Sequence, residues 1–140
     1  MKRIHLAMLC GCLLFCLQAN GQESPLKPQT QNGIDFVSGG IGDEEIKAMR
    51  AIKGEYNLHL SFAVRGTGEY ASDVKVRIAD THGKTLLEAV SDGPNFFAKL
   101  KPGRYEVTAD LDGKAQRKEL TVGPKHGAAV SLYWSKEKGD

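Results

Sequence analysis

Cysteine is scarce in this chain of 140 residues, and all of it lies near the start. The three cysteines are Cys10, Cys12 and Cys16, and they fall within a segment that we expect to be removed. A mature chain without cysteine cannot form disulfides, even in an oxidising compartment, and has no thiolate to act as a nucleophile or metal ligand. The absence excludes disulfide-stapled scaffolds and thiol enzymes.

Residues 1–21 have the pattern of a secretory signal peptide. A basic start precedes the apolar run LAMLCGCLLFCL, and Ala19 and Gly21 supply the small side chains that signal peptidase requires. The run is too short to span a bilayer. We predict cleavage between Gly21 and Gln22, and a periplasmic or secreted protein with no membrane span once the signal is removed.

A lipid anchor on one of the cysteines is not expected. A lipidated cysteine needs small residues just before it, whereas Cys16 follows Phe15. Cys12 has tolerable neighbours but leaves only a short apolar run before it. We therefore do not predict a lipoprotein.

An excess of charge of either sign is missing as well. The signal takes Lys2 and Arg3 with it, so 17 of the 19 basic residues remain against 17 acidic ones. A mature chain that is formally neutral has no global attraction to nucleic acid or to an anionic membrane. We therefore predict no nucleic-acid partner.

The mature chain divides into four predicted segments. Residues 22–33, QESPLKPQTQNG, contain two prolines and three glutamines and predict a flexible linker. Residues 34–56 predict a short strand, a glycine loop and a helix. Residues 57–134 predict a β-sandwich, and residues 135–140 a charged tail.

The stretch IDFVSGGIGDEEI, residues 34–46, has the order strand, glycine loop, helix that also occurs in phosphate-binding sites. Here Asp43, Glu44 and Glu45 occupy the helix N-terminus, where carboxylates complement the helix dipole and repel phosphate. The loop contains no Lys or Arg, and no Lys-Ser or Lys-Thr follows it. We therefore predict a capped helix that ends at Lys53, and no nucleotide site.

After Gly54 the sequence alternates between apolar and polar residues with period two, which is typical of strands. Seven such stretches fit into residues 57–134, and Asp112-Gly113 is a two-residue hairpin signal between two of them. A domain of about 100 residues can bury one core without staples. We predict a mainly β protein, a seven-stranded antiparallel β-sandwich with one short N-terminal helix.

The stretch FFAKLKPGRYEVTADLDGK resembles part of the carboxypeptidase regulatory-like domain, a transthyretin-like sandwich that is close to the PEGA surface-layer modules. The matching features are Leu-x-Pro-Gly-x-Tyr-x-Val, the paired aromatics before it, the hairpin after it, and the earlier strand and turn VRIADTHGK. The resemblance covers residues 57–134. It implies a transthyretin-like or immunoglobulin-like sandwich in an accessory or stand-alone exported module without catalytic residues, and the helix is not part of the pattern.

The Pro-Gly-x-Tyr turn also has a direct physical interpretation. Pro102 presets φ for a tight turn, and Gly103 is predicted to supply the left-handed position. Tyr105 is predicted to bury its ring in the sandwich while its hydroxyl reaches the backbone at the end of the sheet. We interpret these three residues as a structural turn.

Motifs for catalysis, metals and cofactors are not found in the sequence. His59, His82 and His126 show no metal-ligand spacing, and no serine lies in a Gly-x-Ser-x-Gly elbow. The transthyretin-like fold has an enzymatic branch that hydrolyses 5-hydroxyisourate, but its C-terminal Tyr-Arg-Gly-Ser signature is missing from this chain, which ends LYWSKEKGD. We predict no catalytic, metal or cofactor-binding residues, and a protein that is not an enzyme.

Aromatic residues near loops and strand ends leave two interpretations open. In the first, they form a flat platform that binds sugars. In the second, they pack in the core or at its rim. The residues concerned are Tyr56, Tyr70, Tyr133 and Trp134.

Charged turns suggest a third feature, because loops alternate between the two ends of a sandwich whose consecutive strands are antiparallel. One end then collects His82, Lys84, Lys101, Arg104, Lys125 and His126. The other end collects Glu69, Asp92 and Asp112. We predict an exported, non-catalytic module for protein interaction or envelope structure, whose basic end meets an unknown envelope protein or anionic envelope component. The alternatives are a carbohydrate or cell-wall binding module that uses exposed aromatics, and charged turns that only keep the protein in solution.

Overall fold

The computed structural model describes residues 24–67, 69 and 71–135, which form nine β-strands and one α-helix. The predicted signal segment, its cleavage site at Gly21 and Gln22, Tyr70, and the tail from residue 136 onward lie outside the described residues. No helix in the described part of the chain is long and apolar enough to cross a membrane.

The elements follow one another with short connections. The helix α1 spans Asp43–Ile52, one residue shorter than predicted, and a 3₁₀ turn follows at Lys53–Glu55. The strands are β1 (Gln29–Gln31), β2 (Ile34–Gly39), β3 (Leu58–Arg65), β4 (Val74–Ala79), β5 (Thr85–Ser91), β6 (Asn95–Lys99), β7 (Gly103–Leu111), β8 (Lys114–Val122) and β9 (Ala128–Ser135).

The strands form two sheets that pack face to face. The order in the first sheet is β1-β2-β6-β3-β9, and in the second β5-β4-β7-β8. The predicted mainly β sandwich with one short helix is confirmed, and the seven strands expected in residues 57–134 correspond to β3–β9. The sheets are mostly antiparallel, and one pair departs from the predicted antiparallel arrangement, because β9 pairs with β3 in parallel. Both strands start at the same end of the molecule, since residues 123–127 carry the chain from one sheet to the other there.

The first described residues are more ordered than the predicted linker. Gln29–Gln31 pairs with β2, and Asn32 and Gly33 form the two-residue turn with φ values of 50° and 74°. Asn-Gly favours such turns because both positions need positive φ. Leu26 is buried as well. The linker prediction is therefore wrong for this part of the chain, where polar residues form an edge strand.

The main core lies between the two sheets and is built from alternate residues of each strand. Phe36 stacks on Phe96 with ring centroids 5.7 Å apart, and Phe62 packs against Trp134 at 6.0 Å. The second sheet contributes mostly β-branched side chains, which fit a pleated surface. The largest fully buried side chains of this core are Phe62, Phe96, Leu58, Leu60, Ile78, Leu87, Leu132, Val74, Val76, Val107 and Val122.

A second, smaller core holds the helix on the outer face of the first sheet. Met49 of α1 is buried against Val37 of β2 and Phe97 of β6, and Leu26 completes the cluster. The helix therefore covers the β2 and β6 side of that face. This placement explains why α1 carries apolar residues on one side only.

Side chains join the two sheets where their edge strands approach each other. Gln31 bonds both backbone groups of Glu88 on β5: its Nε2 donates to the carbonyl at 3.2 Å and its Oε1 accepts from the N–H at 2.7 Å. At the opposite edge, Gln116 Nε2 donates to the Tyr133 carbonyl at 2.6 Å. Trp134 Nε1 donates to the Lys114 carbonyl at 2.8 Å. These bonds cover edge groups that would otherwise invite pairing with another chain.

Candidate functional site

The strand directions bring the predicted basic loops to one end. β6 and β7 are joined by residues 100–102 only, and β7 is antiparallel to both β4 and β8. The turns at 80–84, 100–102 and 123–127 therefore lie together, and we call this the basic end. It carries Lys84, Lys101, Arg104, Lys125 and His126, and every one of these residues is exposed.

Hydrogen bonds within the turns fix the backbone of the basic end. Asp80 Oδ1 accepts from the N–H groups of His82 and Lys84 at 2.9 and 3.0 Å. The N–H of Gly123 donates to the His126 carbonyl at 2.8 Å. A surface whose loops are already ordered loses less entropy on binding.

The turn at residues 101–105 is partly as predicted. The Tyr105 hydroxyl donates to the Lys101 carbonyl at 2.5 Å, and the half-buried ring packs against the main core. Burial raises the pKa of Tyr105. The left-handed role assigned to Gly103 is wrong, because Gly103 is not among the residues with positive φ. It begins β7 as an ordinary strand residue paired with Val122.

The basic end also contains carboxylates that the loop-by-loop analysis did not include. A depression of about 550 Å³ beside Arg104 is lined by Asp80, Glu106 and Glu119. Glu106 and Glu119 lie directly opposite each other on β7 and β8, an unfavourable pairing of like charges. Arg104 therefore shares this depression with three carboxylates.

The opposite end is acidic. It holds the described residues between β3 and β4 (66, 67, 69 and 71–73), the turns at 92–94 and 112–113, and the first turn of α1, and we call it the acidic end. Its acidic residues are Asp43, Glu44, Glu45, Glu69, Asp73, Asp92, Asp110 and Asp112. The described charged turns therefore give the sandwich one predominantly basic end and one predominantly acidic end.

The glycine loop at the acidic end is closed by its own carboxylate. Glu45 Oε1 accepts from the N–H groups of Gly40 at 3.1 Å and Ile41 at 3.4 Å. Backbone N–H groups that would hold a phosphate in a nucleotide site are therefore already bonded to a negative charge.

The aromatic residues separate into different environments. Trp134 is buried and bonded through its indole, so it is not available to a ligand. Tyr133 is 48% exposed, and the guanidinium of Arg65 lies over its ring at 5.2 Å. Tyr70 lies outside the described residues. Tyr56 is half-buried and packs against Phe97 with centroids 6.1 Å apart.

The structure shows a cleft at Tyr56 that the sequence analysis missed. It has a volume of about 660 Å³ and lies between the outer face of the first sheet and the chain that follows α1. Its polar lining comprises Gln29, Thr30, Asp35, Glu55, Tyr56, Asn57 and Lys99. Thr30, Asp35 and Lys99 form one row across β1, β2 and β6. No short sequence motif connects these residues, because strand pairing brings them together.

The histidines do not meet at a common site. His59 bonds the Lys53 carbonyl through Nε2 at 2.8 Å and packs edge-on against Phe97 at 4.8 Å. His82 and His126 lie in separate turns of the basic end. Among the described residues, no three side chains of metal-ligand type are grouped so that they could hold an ion.

Comparison with known proteins gives little further information. No family model matches the chain. No curated protein matches it either. Among solved structures, 5-hydroxyisourate hydrolase from Klebsiella pneumoniae is similar at 19% identity and a TM-score of 0.46, over 56% of this chain and 88% of that one. The β-sandwich is thus confirmed by the strands themselves, and neither the carboxypeptidase regulatory-like nor the PEGA-like assignment is confirmed.

The same comparison corrects one prediction. The expectation that the chain is not an enzyme is contradicted, because the structure that it partly resembles is an enzyme. A likeness at this level does not show catalysis in this chain, so no activity is transferred to it.

Proposed function

We propose that the mature chain is an exported binding module that contacts an envelope protein, or another anionic envelope component, through its basic end. The observation that carries this proposal is the placement of five exposed basic side chains at one end of the sandwich: Lys84, Lys101, Lys125 and His126 on three internally bonded turns, and Arg104 near the start of β7. Loops at one end of a rigid sandwich are the usual place for binding residues.

The cations of this end are free to meet a partner. The one ion pair in the described part of the chain is Arg77 with Glu88, with N and O 3.9 Å apart, on the outer face of the second sheet. Because the mature chain is formally neutral, attraction must come from this end rather than from net charge. Contacts between exposed charges are screened by salt, so the interaction is weak and sensitive to ionic strength.

The test compares two charge-reversed variants. In the basic-end variant, Lys101, Arg104 and Lys125 are changed to Glu. In the control variant, the same net charge is introduced at three exposed positions away from both ends: Lys47, Arg117 and Lys118 are changed to Glu. Circular dichroism first establishes that both variants fold.

Each of the three proteins is then used to capture partners from an envelope fraction, and the partners are eluted with increasing salt. We expect the wild type and the control variant to retain the same partners, and the basic-end variant to lose them or release them at lower salt. Identical partners and identical salt elution for all three proteins would overturn the proposal.

The alternative of sugar binding through a flat aromatic platform is not favoured. Trp134 is part of the core, and among the described tyrosine and tryptophan side chains Tyr133 is the one that is largely exposed, with Arg65 over its ring. A platform needs several exposed rings in one plane.

A further inference from the structure

The cleft beside Tyr56 has the size of a small-molecule site. Its volume of about 660 Å³ falls within the range of about 300–1,000 Å³ typical of ligand pockets. The floor is the row Thr30, Asp35 and Lys99 on the outer face of the first sheet. Residues 54–57 form one wall, and Tyr56 brings an aromatic ring to it.

The wall of the cleft is fixed before any ligand arrives. The Asn57 side chain bonds both backbone groups of Leu100: Nδ2 donates to the carbonyl at 2.6 Å, and Oδ1 accepts from the N–H at 2.8 Å. The Tyr56 ring packs against Phe97 of the smaller core. A preformed wall lowers the entropic cost of binding.

Several polar groups of the cleft lack partners within the described residues. Asp35 Oδ1 accepts a hydrogen bond from the Thr30 hydroxyl, with the two oxygens 2.6 Å apart, and the second oxygen of Asp35 is left free. In the described part of the chain, the Glu55 carboxylate, the Lys99 ammonium and the Tyr56 hydroxyl form no hydrogen bond or ion pair. Burial, and then the negative charges of Glu55 and Asp35, raise the pKa of Tyr56, so its hydroxyl stays protonated and can donate.

We infer that this cleft binds a saccharide unit, and that it favours one bearing a free amino group. A sugar ring donates hydroxyl protons to the Asp35 and Glu55 carboxylates, accepts from Lys99, and lays its C–H face on the Tyr56 ring. The two carboxylates outweigh the one ammonium, so the cleft has a net negative charge. This charge attracts the ammonium group of an amino sugar and repels the carboxylate of a uronate. An isolated small cation does not fill a cleft of about 660 Å³.

This inference does not rest on the proposed function, because none of its residues belongs to the basic-end set. The probes are glucosamine, glucose, glucuronate and methylammonium, each titrated against the mature chain and followed by NMR. We expect saturable shifts at residues 54–57 and 99 with glucosamine, weaker ones with glucose, and none with glucuronate.

Three variants locate the site and its charge preference. Tyr56→Ala is expected to weaken glucosamine binding by about tenfold or more, a loss of about 1.4 kcal/mol, whereas Tyr133→Ala, at an exposed tyrosine outside the cleft, leaves it unchanged. Since Tyr56 also packs in the smaller core, Asp35→Asn provides a second variant at an exposed position. It should reduce the advantage of glucosamine over glucose.

The outcomes separate clearly. No binding of either sugar, or loss of binding in Tyr133→Ala instead of Tyr56→Ala, overturns the inference. Methylammonium binding as tight as glucosamine binding overturns it as well, because the site is then one for an ammonium group alone. An unchanged preference for glucosamine in Asp35→Asn counts against the assigned role of the carboxylates.

Discussion

At the scale of single residues, backbone conformation separates glycines that are required from those that are not. Gly93 is buried, and a Cβ there would lie 2.4 Å from the Gly39 carbonyl oxygen, so backbone would have to move. At Gly103 the nearest atom to a Cβ would belong to the Tyr105 side chain, at an ordinary contact distance of 3.6 Å. The Pro-Gly pair suggested a left-handed glycine at 103, but the strand begins there instead.

Gly93→Ala is therefore expected to lower the free energy of unfolding by about 1–3 kcal/mol, as overpacking does. Gly103→Ala should leave it unchanged or raise it by up to about 1 kcal/mol, since it reduces the freedom of the unfolded chain without strain. Urea unfolding of both variants measures the difference. An equal loss in Gly103→Ala would restore the left-handed assignment.

Because of Tyr105, we expect the stability of the fold to vary with pH in the alkaline range. Burial raises its pKa above the ordinary value of 10.0, so the folded state holds the phenolic proton more tightly than the unfolded state does. Its contribution to stability is complete below pH 10.0 and is lost as the pH rises through the folded-state pKa.

We expect the free energy of unfolding to fall above pH 10.0, and to fall less in Tyr105→Phe, which has no proton to lose. The phenylalanine variant should also be less stable near neutral pH, because the bond to the Lys101 carbonyl is gone. Chemical unfolding at a series of pH values tests both effects. Parallel curves for the two proteins would show that Tyr105 does not carry the dependence.

At the scale of secondary-structure elements, local sequence signals predicted hairpins, whereas they did not predict the pairing of strands that are distant in sequence. The Asp112-Gly113 hairpin is present as predicted, with φ values of 52° and 85°. The parallel pair of β3 and β9 joins segments that are distant in sequence, and no local pattern reveals it. The same holds for the Tyr56 cleft, where Asp35 and Lys99 meet only through the pairing of β2 with β6.

The strand Gln29–Gln31 was missed for a different reason. Its composition resembles a linker, and the segment is held by Leu26 in the smaller core and by the bonds of Gln31 to β5. An Asn-Gly pair between Gln31 and Ile34 was the available hairpin signal.

The start of α1 gives a prediction at this scale. Glu45→Ala removes two hydrogen bonds to the glycine loop and should cost about 0.5–2 kcal/mol, the range for lost helix caps. Glu44→Ala is the matched control, because it removes the same favourable charge from the same helix turn but sits exposed. Thermal unfolding compares the two. Equal destabilisation would mean that the helix dipole matters here and the loop bonds do not.

At the scale of the whole molecule, the topology places most basic turns at one end of the sandwich and most acidic turns at the other, which gives the molecule a charge dipole. Each of the strands β3–β9 carries the chain from one end to the other. The turns at 80–84, 100–102 and 123–127 share one end, and the turns at 92–94 and 112–113 share the other with the described residues between β3 and β4. Most basic side chains of these turns lie at the first end and most acidic ones at the second, although Asp80 is an acidic residue of the first. The two ends of one molecule are therefore complementary to the two ends of another.

This complementarity predicts weak end-to-end attraction between copies at low salt. Light scattering should give a more negative second virial coefficient at an ionic strength of about 0.01 M, where the Debye length is about 30 Å, than at about 0.15 M, where it is about 8 Å. The basic-end variant (Lys101, Arg104 and Lys125 to Glu) and the control variant (Lys47, Arg117 and Lys118 to Glu) carry the same net charge. Net repulsion is therefore equal in both, but only the control keeps a positive end. At low salt the control variant should be the more attractive of the two, and the difference should vanish as salt is added. Coincident curves for the two variants at every ionic strength would show that the ends do not act as separate charges.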